Sequence, residues 1–176
     1  GGAVYFPSGT YKVTSQITIS GTYIHLIGNL GATLKRFGAF SVFKITGNYN
    51  RVEALHLDGN KASYPYPTYS RSAVLWIQGS YNTIEGCLID NSNSHGILFS
   101  KAGAANSNLV DGNIILNCDE VGIAHDGGTD NRVVSNHVSG CRYEAITLDQ
   151  GSHRCVVDGN RLNANCASGG VGSIGV

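Results

Sequence analysis

Of the 176 residues none is methionine, and only 14% are charged, with 12 Lys and Arg against 12 Asp and Glu. That even balance leaves no basic patch for nucleic acid and no acidic tail that would hold a segment disordered. No run approaches the roughly 18 apolar residues of a membrane-spanning helix, so no membrane span is expected. No leader is visible, since Gly1-Gly2-Ala3-Val4 already reads as folded sequence. The missing methionine and the abrupt start point to a processed chain or a piece of a longer one. Cysteines stand at 87, 118, 141, 155 and 166. An odd count without a CxxC spacing or a Cys/His cluster argues against zinc and against a disulfide framework. Helical periodicity is absent as well.

What is present is a repeat. Asn82-Thr-Ile-Glu-Gly-Cys-Leu-Ile-Asp is followed by Asn108-Leu-Val-Asp-Gly-Asn-Ile-Ile-Leu, Asn131-Arg-Val-Val-Ser-Asn-His-Val-Ser and Cys155-Val-Val-Asp-Gly-Asn-Arg-Leu-Asn. An earlier copy is Asn50-Arg-Val-Glu-Ala-Leu-His-Leu-Asp, and the starts step by 32, 26, 23 and 24 residues. Each copy alternates apolar and polar residues, the period of a strand. Between the copies a second short segment recurs: Ala73-Val-Leu-Trp-Ile, Gly96-Ile-Leu-Phe-Ser, Gly122-Ile-Ala-His-Asp and Ala145-Ile-Thr-Leu-Asp.

Two or three short strands in a repeat of about 23 residues cannot bury a face alone, but stacked coils can. The pattern therefore predicts an all-β, parallel β-solenoid with equivalent residues in ladders about 4.8 Å apart. Asn113, Asn136 and Asn160 share one register, and Cys118, Cys141 and Cys166 nearly share another, as stacked buried thiols. Ile97, Ile123 and Ile146 are expected inward, with Val74 one coil earlier; Trp76, Phe99, His125 and Leu148 form the next inward register. The outward column after it is then Ile77, Ser100, Asp126 and Asp149.

The opening Gly1-Gly-Ala-Val-Tyr-Phe-Pro-Ser-Gly-Thr-Tyr-Lys-Val resembles the first coil of pectate-lyase-like proteins, a superfamily that includes phage tailspike depolymerases and alginate C5-epimerase modules. Leu55-His-Leu-Asp-Gly-Asn-Lys61, followed by a long loop, is similar to the epimerase modules. The resemblance covers most of the chain and implies a single-stranded right-handed parallel β-helix of the pectin-lyase type. It also implies an N-terminal capping helix that does not precede Gly1 here. The expectation is one β-helix domain over residues 1–176, a piece of a longer protein lacking one or both end caps, because open ends expose strand edges. The epimerase family carries an Asp-Pro-His motif at the end of the strand that here reads Gly96-Ile-Leu98-Phe99-Ser100. Leu98 and Ser100 stand where its catalytic Asp and His would be, so that chemistry is not expected at this spot. Polygalacturonase-like motifs, a nucleophile elbow, a P-loop and HExxH are absent too.

Asp126 and Asp149 are the best candidates for chemistry: two carboxylates on adjacent coils and one outer face, as glycoside hydrolysis uses. The competing reading is two turn aspartates, each near a glycine at a strand end. The resemblance to pectate lyases adds Ca²⁺ as a possible ligand of the pair through carboxylate oxygens; no other cofactor is expected. Lys101, Glu144, Gln150 and His153 lie around them, and a Lys or His there can act as base in a β-elimination. His125 falls in a core register and is read as a buried residue. The loop Lys61–Arg71 holds Tyr64, Tyr66 and Tyr69, three of the nine tyrosines, whose rings suit sugar faces, while Arg71 suits a uronate carboxylate. The alternative is a Pro-stiffened loop packed on the solenoid wall.

These residues predict a carbohydrate-active protein that binds and cleaves a polysaccharide, uronate-containing ones included, by hydrolysis or β-elimination. It would work outside the cell, on the cell surface or on a virion. The alternative is a non-catalytic shaft or glycan-binding solenoid, and a phage origin would imply a homotrimer.

Overall fold

In the computed structural model, residues 1–29, 31–64, 73–100, 105–149 and 151–166 are described, with the backbone of residues 174–175. They form three seven-stranded parallel sheets, and none of them is helical. Each coil contributes one strand to sheet A, one to sheet B and one to sheet C, in that order along the chain. Sheet A runs from Gly2–Tyr5 to Val156–Asp158, sheet B from Gly9–Val13 to Arg161–Asn163, and sheet C from Ile17–Ile19 to Ile174–Gly175. The β-solenoid expected from the repeat is the fold observed.

Most strands are only three to five residues long, so a coil buries few side chains and its neighbours must complete the core. The inward positions stack coil on coil. In sheet A, Val52, Ile84, Val110 and Val133 line up; in sheet B, Leu57, Ile89, Ile115 and Val138 do so. All eight are at most 1% exposed.

Three corners per coil turn the chain, and each holds a residue with left-handed backbone. At the A-to-B corner Gly86 and Gly112 (φ 57° and 61°) take it without a Cβ clash, while Ala54 and Ser135 adopt it on other coils. At the B-to-C corner Asn91 and Asn117 do so, and at the C-to-A corner Tyr23, Tyr49, Tyr81, Ser107, Asp130 and Arg154 do so in succession. Asn and Gly tolerate this conformation best, which suits them to these corners.

Amide ladders tie the coils together. The Asn113 and Asn136 side-chain oxygens accept the N–H of Cys87 and of Asn113, at 2.9 Å each, and the Asn160 oxygen accepts that of Asn136 at 2.8 Å. This is the ladder the sequence shows. A second one runs through Asn50, Asn82, Asn108 and Asn131, the residues that open the repeat copies; each oxygen takes a backbone N–H one coil earlier at 2.8–2.9 Å. Buried amides satisfied at both ends contribute about 1 kcal/mol per bond, and removing one leaves its partners unpaired.

Three registers differ from the sequence reading. Ile97 pairs with Leu75, not Val74, and Phe99 pairs with Ile77, not Trp76. Sheet C buries two consecutive residues per coil, Val74 and Leu75 or Gly96 and Ile97, before alternation resumes. The inner stack is therefore Ile45, Ile77, Phe99, His125 and Leu148, and Trp76 faces outward with Leu98, Ala124 and Thr147. The outward column that ends in Asp126 and Asp149 begins at Gln78, not Ile77. Among the cysteines, Cys118 and Cys141 stack and are buried, but Asn165 rather than Cys166 bonds in the next rung. None of the five cysteines is in a disulfide.

Candidate functional site

The outer face of sheet C carries the residues of interest. One outward column there reads Thr18, Lys44, Trp76, Leu98, Ala124 and Thr147. Its side chains are long at Lys44, Trp76 and Leu98 and short at Ala124 and Thr147. Lys44 Nζ stands over the Trp76 ring, 4.5 Å from its centroid, and Leu98 and Ala124 pack with Val121 and Ala73 beside it. Where the column shrinks to Ala124 and Thr147, a groove of about 380 Å³ opens, lined also by His95, Val121, Asp126, Leu148 and Asp149.

Asp126 and Asp149 each sit one residue past a sheet C strand. Their backbones are fixed: the Asp126 N–H donates to the Phe99 carbonyl (3.0 Å), and the Asp149 N–H to the His125 carbonyl (2.9 Å). The two residues thus stand at equivalent points of adjacent coils, their backbones about 4.8 Å apart by strand spacing, and both line the groove. The carboxylate of Asp126 is half-buried, and Asp149 is exposed.

Sequence reasoning missed the opposite wall. His95 Nε2 lies 3.1 Å from Glu120 Oε2, which also accepts the Ser94 hydroxyl at 2.6 Å. The Val121 N–H approaches His95 Nδ1 at 3.4 Å, which leaves Nε2 as the protonated nitrogen facing Glu120. The only signal in the sequence was position: His95 and Val121 precede the Gly-Ile pair of successive coils, where strict alternation would have placed them inside.

His125 is inward and fully buried, as expected. Its ring lies 4.7 Å from Phe99, its Nδ1 bonds Ser152 Oγ (2.6 Å), and its Nε2 accepts from Asn131 Nδ2 (2.7 Å). Burial pushes its pKa down to about 4, so it stays neutral beneath the groove.

The other candidates are spread out. Glu144 is half-buried one coil beyond Val121, near the groove but not among its lining residues. His153 is exposed in the short strand Ser152–His153, which pairs with Gly128–Thr129 at the C-to-A corner. Tyr64 sits at the B-to-C corner, its ring edge-on to Phe37 at 6.1 Å and its carbonyl bonded by Arg36 and Asn93. Those contacts are with the solenoid wall. Lys101, Tyr66, Tyr69, Arg71 and Gln150 lie outside the described residues.

Ca²⁺ takes six to eight oxygens; among the described residues no three His, Cys, Asp or Glu side chains gather to hold a metal, and Asp126 and Asp149 would supply two carboxylates to such a set.

The family described as right-handed β-helix region matches residues 14–174. No curated protein matches the chain in sequence. Among solved structures, the ORF18 protein of Geobacillus virus E2 is similar at a TM-score of 0.58 and 14% identity, over 99% of this chain and 52% of that one. An alginate lyase from a Paenibacillus species gives 0.58 and 20%, over 84% and 57%. The catalytic unit of a GH87 α-1,3-glucanase from Streptomyces thermodiastaticus gives 0.52 and 16%, over 92% and 41%. The chain thus spans roughly half the length of these structures, and at such identities the likeness is one of fold.

Proposed function

The chain belongs to the right-handed β-helix family, and from that premise we propose that it binds a polysaccharide along the outer face of sheet C and cleaves it at Asp126 and Asp149. The observation that carries the reading is the pair itself: two carboxylates in register on adjacent coils, in the groove that opens where the outward column shrinks. In hydrolysis one carboxyl gives its proton to the glycosidic oxygen as the C–O bond breaks. The other carboxylate stabilises the sugar cation, either by bonding to the anomeric carbon or by taking a proton from the attacking water. Trp76 and Leu98 would form an apolar shelf beside the cleavage point, and Lys44 would attract anionic sugars to its far end. The alginate lyase and the α-1,3-glucanase of similar fold support a glycan substrate, and a polymer of that kind, with the viral protein of similar fold, supports work outside the cell or on a virion.

A second reading rests on His95. Its imidazole lines the same groove beside Glu120, and an imidazole is the kind of group that takes the proton in a β-elimination. The two reactions leave different products. Incubation with alginate, α-1,3-glucan and a wider polysaccharide panel separates them: reducing ends without absorbance at about 235 nm mark hydrolysis, and unsaturated uronates mark elimination. Binding without any product makes the protein a glycan-binding solenoid and removes both reaction assignments. Small-angle scattering checks for a homotrimer.

A further inference from the structure

Away from the groove, the C-to-A corner carries an aromatic stack. Tyr23 and Tyr49 lie with ring centroids 5.1 Å apart and planes at 16°; Tyr49 and Tyr81 lie 4.8 Å apart at 5°. All three rings remain largely in solvent, at 65%, 46% and 52% exposure. We propose that this stack is a second glycan-contact surface, which holds a sugar chain without cleaving it; the inference rests on the polysaccharide reading above and extends it to a site that reading does not use.

The corner does not need the rings. Each tyrosine adopts φ between 57° and 59°, but Ser107 (54°) and Asp130 (59°) adopt the same conformation in the same column. The turn is held instead by side chains on either side of it. Asn48 Oδ1 accepts the Ser80 N–H (2.7 Å), Ser80 Oγ accepts the Asn106 N–H (3.2 Å), and Asn106 Oδ1 accepts the Thr129 N–H (2.8 Å). On the other side runs the buried ladder through Asn50, Asn82 and Asn108. The phenol rings are therefore presented on a backbone fixed by other groups, and a contact surface ordered in advance loses little entropy on binding.

The stack also ends in a suitable place. After Tyr81 the column continues with small Ser107 and then with Asp130, whose carboxylate is gripped by Arg154 at 2.7 Å through both Nε and Nη2. The last ring thus has hydroxyl and ionic groups beyond it on the same line. A pyranose presents C–H groups on its faces and hydroxyls at its rim. Within the stack the faces of Tyr49 are covered by its neighbours, so the C–H face suits the outer face of Tyr81, the end ring, and the hydroxyls suit Ser107 and the Asp130–Arg154 pair beyond it. A nucleic acid, the other ligand that stacks on aromatic ladders, needs a cationic groove; here Arg51 is ion-paired to Glu53 and Glu85, and Arg154 to Asp130. Tyr81 lies three residues past Gln78, which belongs to the column that ends in Asp126 and Asp149, so a long chain in the groove can reach it.

Affinity electrophoresis through gels containing alginate, α-1,3-glucan, pectin or xylan tests this. The parent chain is compared with Tyr23→Ser/Tyr49→Ser/Tyr81→Ser and with Asp126→Asn/Asp149→Asn. Serine is the residue the fold itself uses at position 107, so the triple variant is expected to melt as a single cooperative unit. The expected result is that the tyrosine variant loses affinity for a retained polymer about fivefold or more, at roughly 1 kcal/mol per lost ring contact, while the aspartate variant reports the groove's own share of the affinity. Equal retardation of parent and tyrosine variant overturns the stack as a glycan surface and leaves the groove reading standing. A parent that none of the gels retards overturns both. A variant that changes only in sedimentation, having lost self-association, makes the stack a protein contact and also overturns the inference.

Discussion

Asp149 repeats the position of Asp126 one coil later, its N–H bonded to the carbonyl of His125, the residue that precedes Asp126 in the chain. Because the link runs through backbone hydrogen bonds, the carboxylates can be neutralised without moving the coil. Asp126→Asn and Asp149→Asn are each expected to lower polysaccharide cleavage by about 10²–10⁴-fold at unchanged melting temperature, measured by reducing-end release. Wild-type rates in both variants would remove the pair from the chemistry.

The groove exists because the outward column is short at Ala124 and Thr147. Thr147→Trp restores bulk at a half-buried outer position, where the added ring projects into the groove rather than the core. Loss of both binding and cleavage with an unchanged melting temperature is the expected outcome. Retained turnover would place the substrate elsewhere.

His125 makes stability depend on pH. Its folded pKa is depressed to about 4 from 6.5. Between those values the unfolded chain binds a proton that the folded one does not, so stability is full above about pH 6.5 and falls as the pH drops toward 4. A shift of that size corresponds to about 3 kcal/mol. His125→Phe continues the ring stack begun by Phe99 and removes the titration. Thermal melts from pH 7 to pH 4 should fall less steeply for the variant than for the parent, and parallel curves would count against the assignment.

Asn108 is fully buried and makes four ladder bonds: its oxygen accepts from the Asn82 N–H and Asn82 Nδ2, and its Nδ2 donates to Gly79 O and Asn131 Oδ1. Asn108→Ala leaves at least two backbone groups unpaired, at about 1–3 kcal/mol each. Chemical denaturation should show a loss of about 3 kcal/mol or more. Asn108→Asp keeps the acceptor but loses the amide donor, so it tests which half of the side chain matters.

Gly79 lies where a Cβ would stand 1.9 Å from the carbonyl oxygen of Gly47 on the preceding coil. Backbone cannot yield as a side chain can. Gly79→Ala is expected to cost about 1–3 kcal/mol, and a neutral melting temperature would show that the coils can part at this corner.

The sequence carried the solenoid well where small residues marked the frame. In the coils of Gly96 and Gly122 a glycine fills the first of two inward slots, and the register there was read correctly. In Ala73-Val-Leu-Trp-Ile, Val74 fills that slot, nothing marks the doubled step, and the alignment slipped by one, which sent Trp76 inside and Ile77 outside. His95 escaped notice for the same reason, since the break in alternation puts it on the outer face. The tyrosine stack was legible in principle: Gly21-Thr-Tyr23, Gly47-Asn-Tyr49 and Gly79-Ser-Tyr81 share one pattern. Its spacings of 26 and 32 residues, stretched by the Lys61–Arg71 loop, hid the common rung. The alignment of Asp126 with Asp149 needed only the 23-residue step, with no insertion between them.

The alternation of inward and outward side chains divides the labour of each strand between two kinds of constraint. Inward residues need only be apolar and of tolerable size, and the amide ladders are indifferent to what the neighbouring outward side chain is. An outer face can therefore drift, acquire a new substrate or fall silent without the coil registering the change. Structures only 14–20% identical to this chain share its fold over 84–99% of its length: the winding does not prescribe the surface it carries.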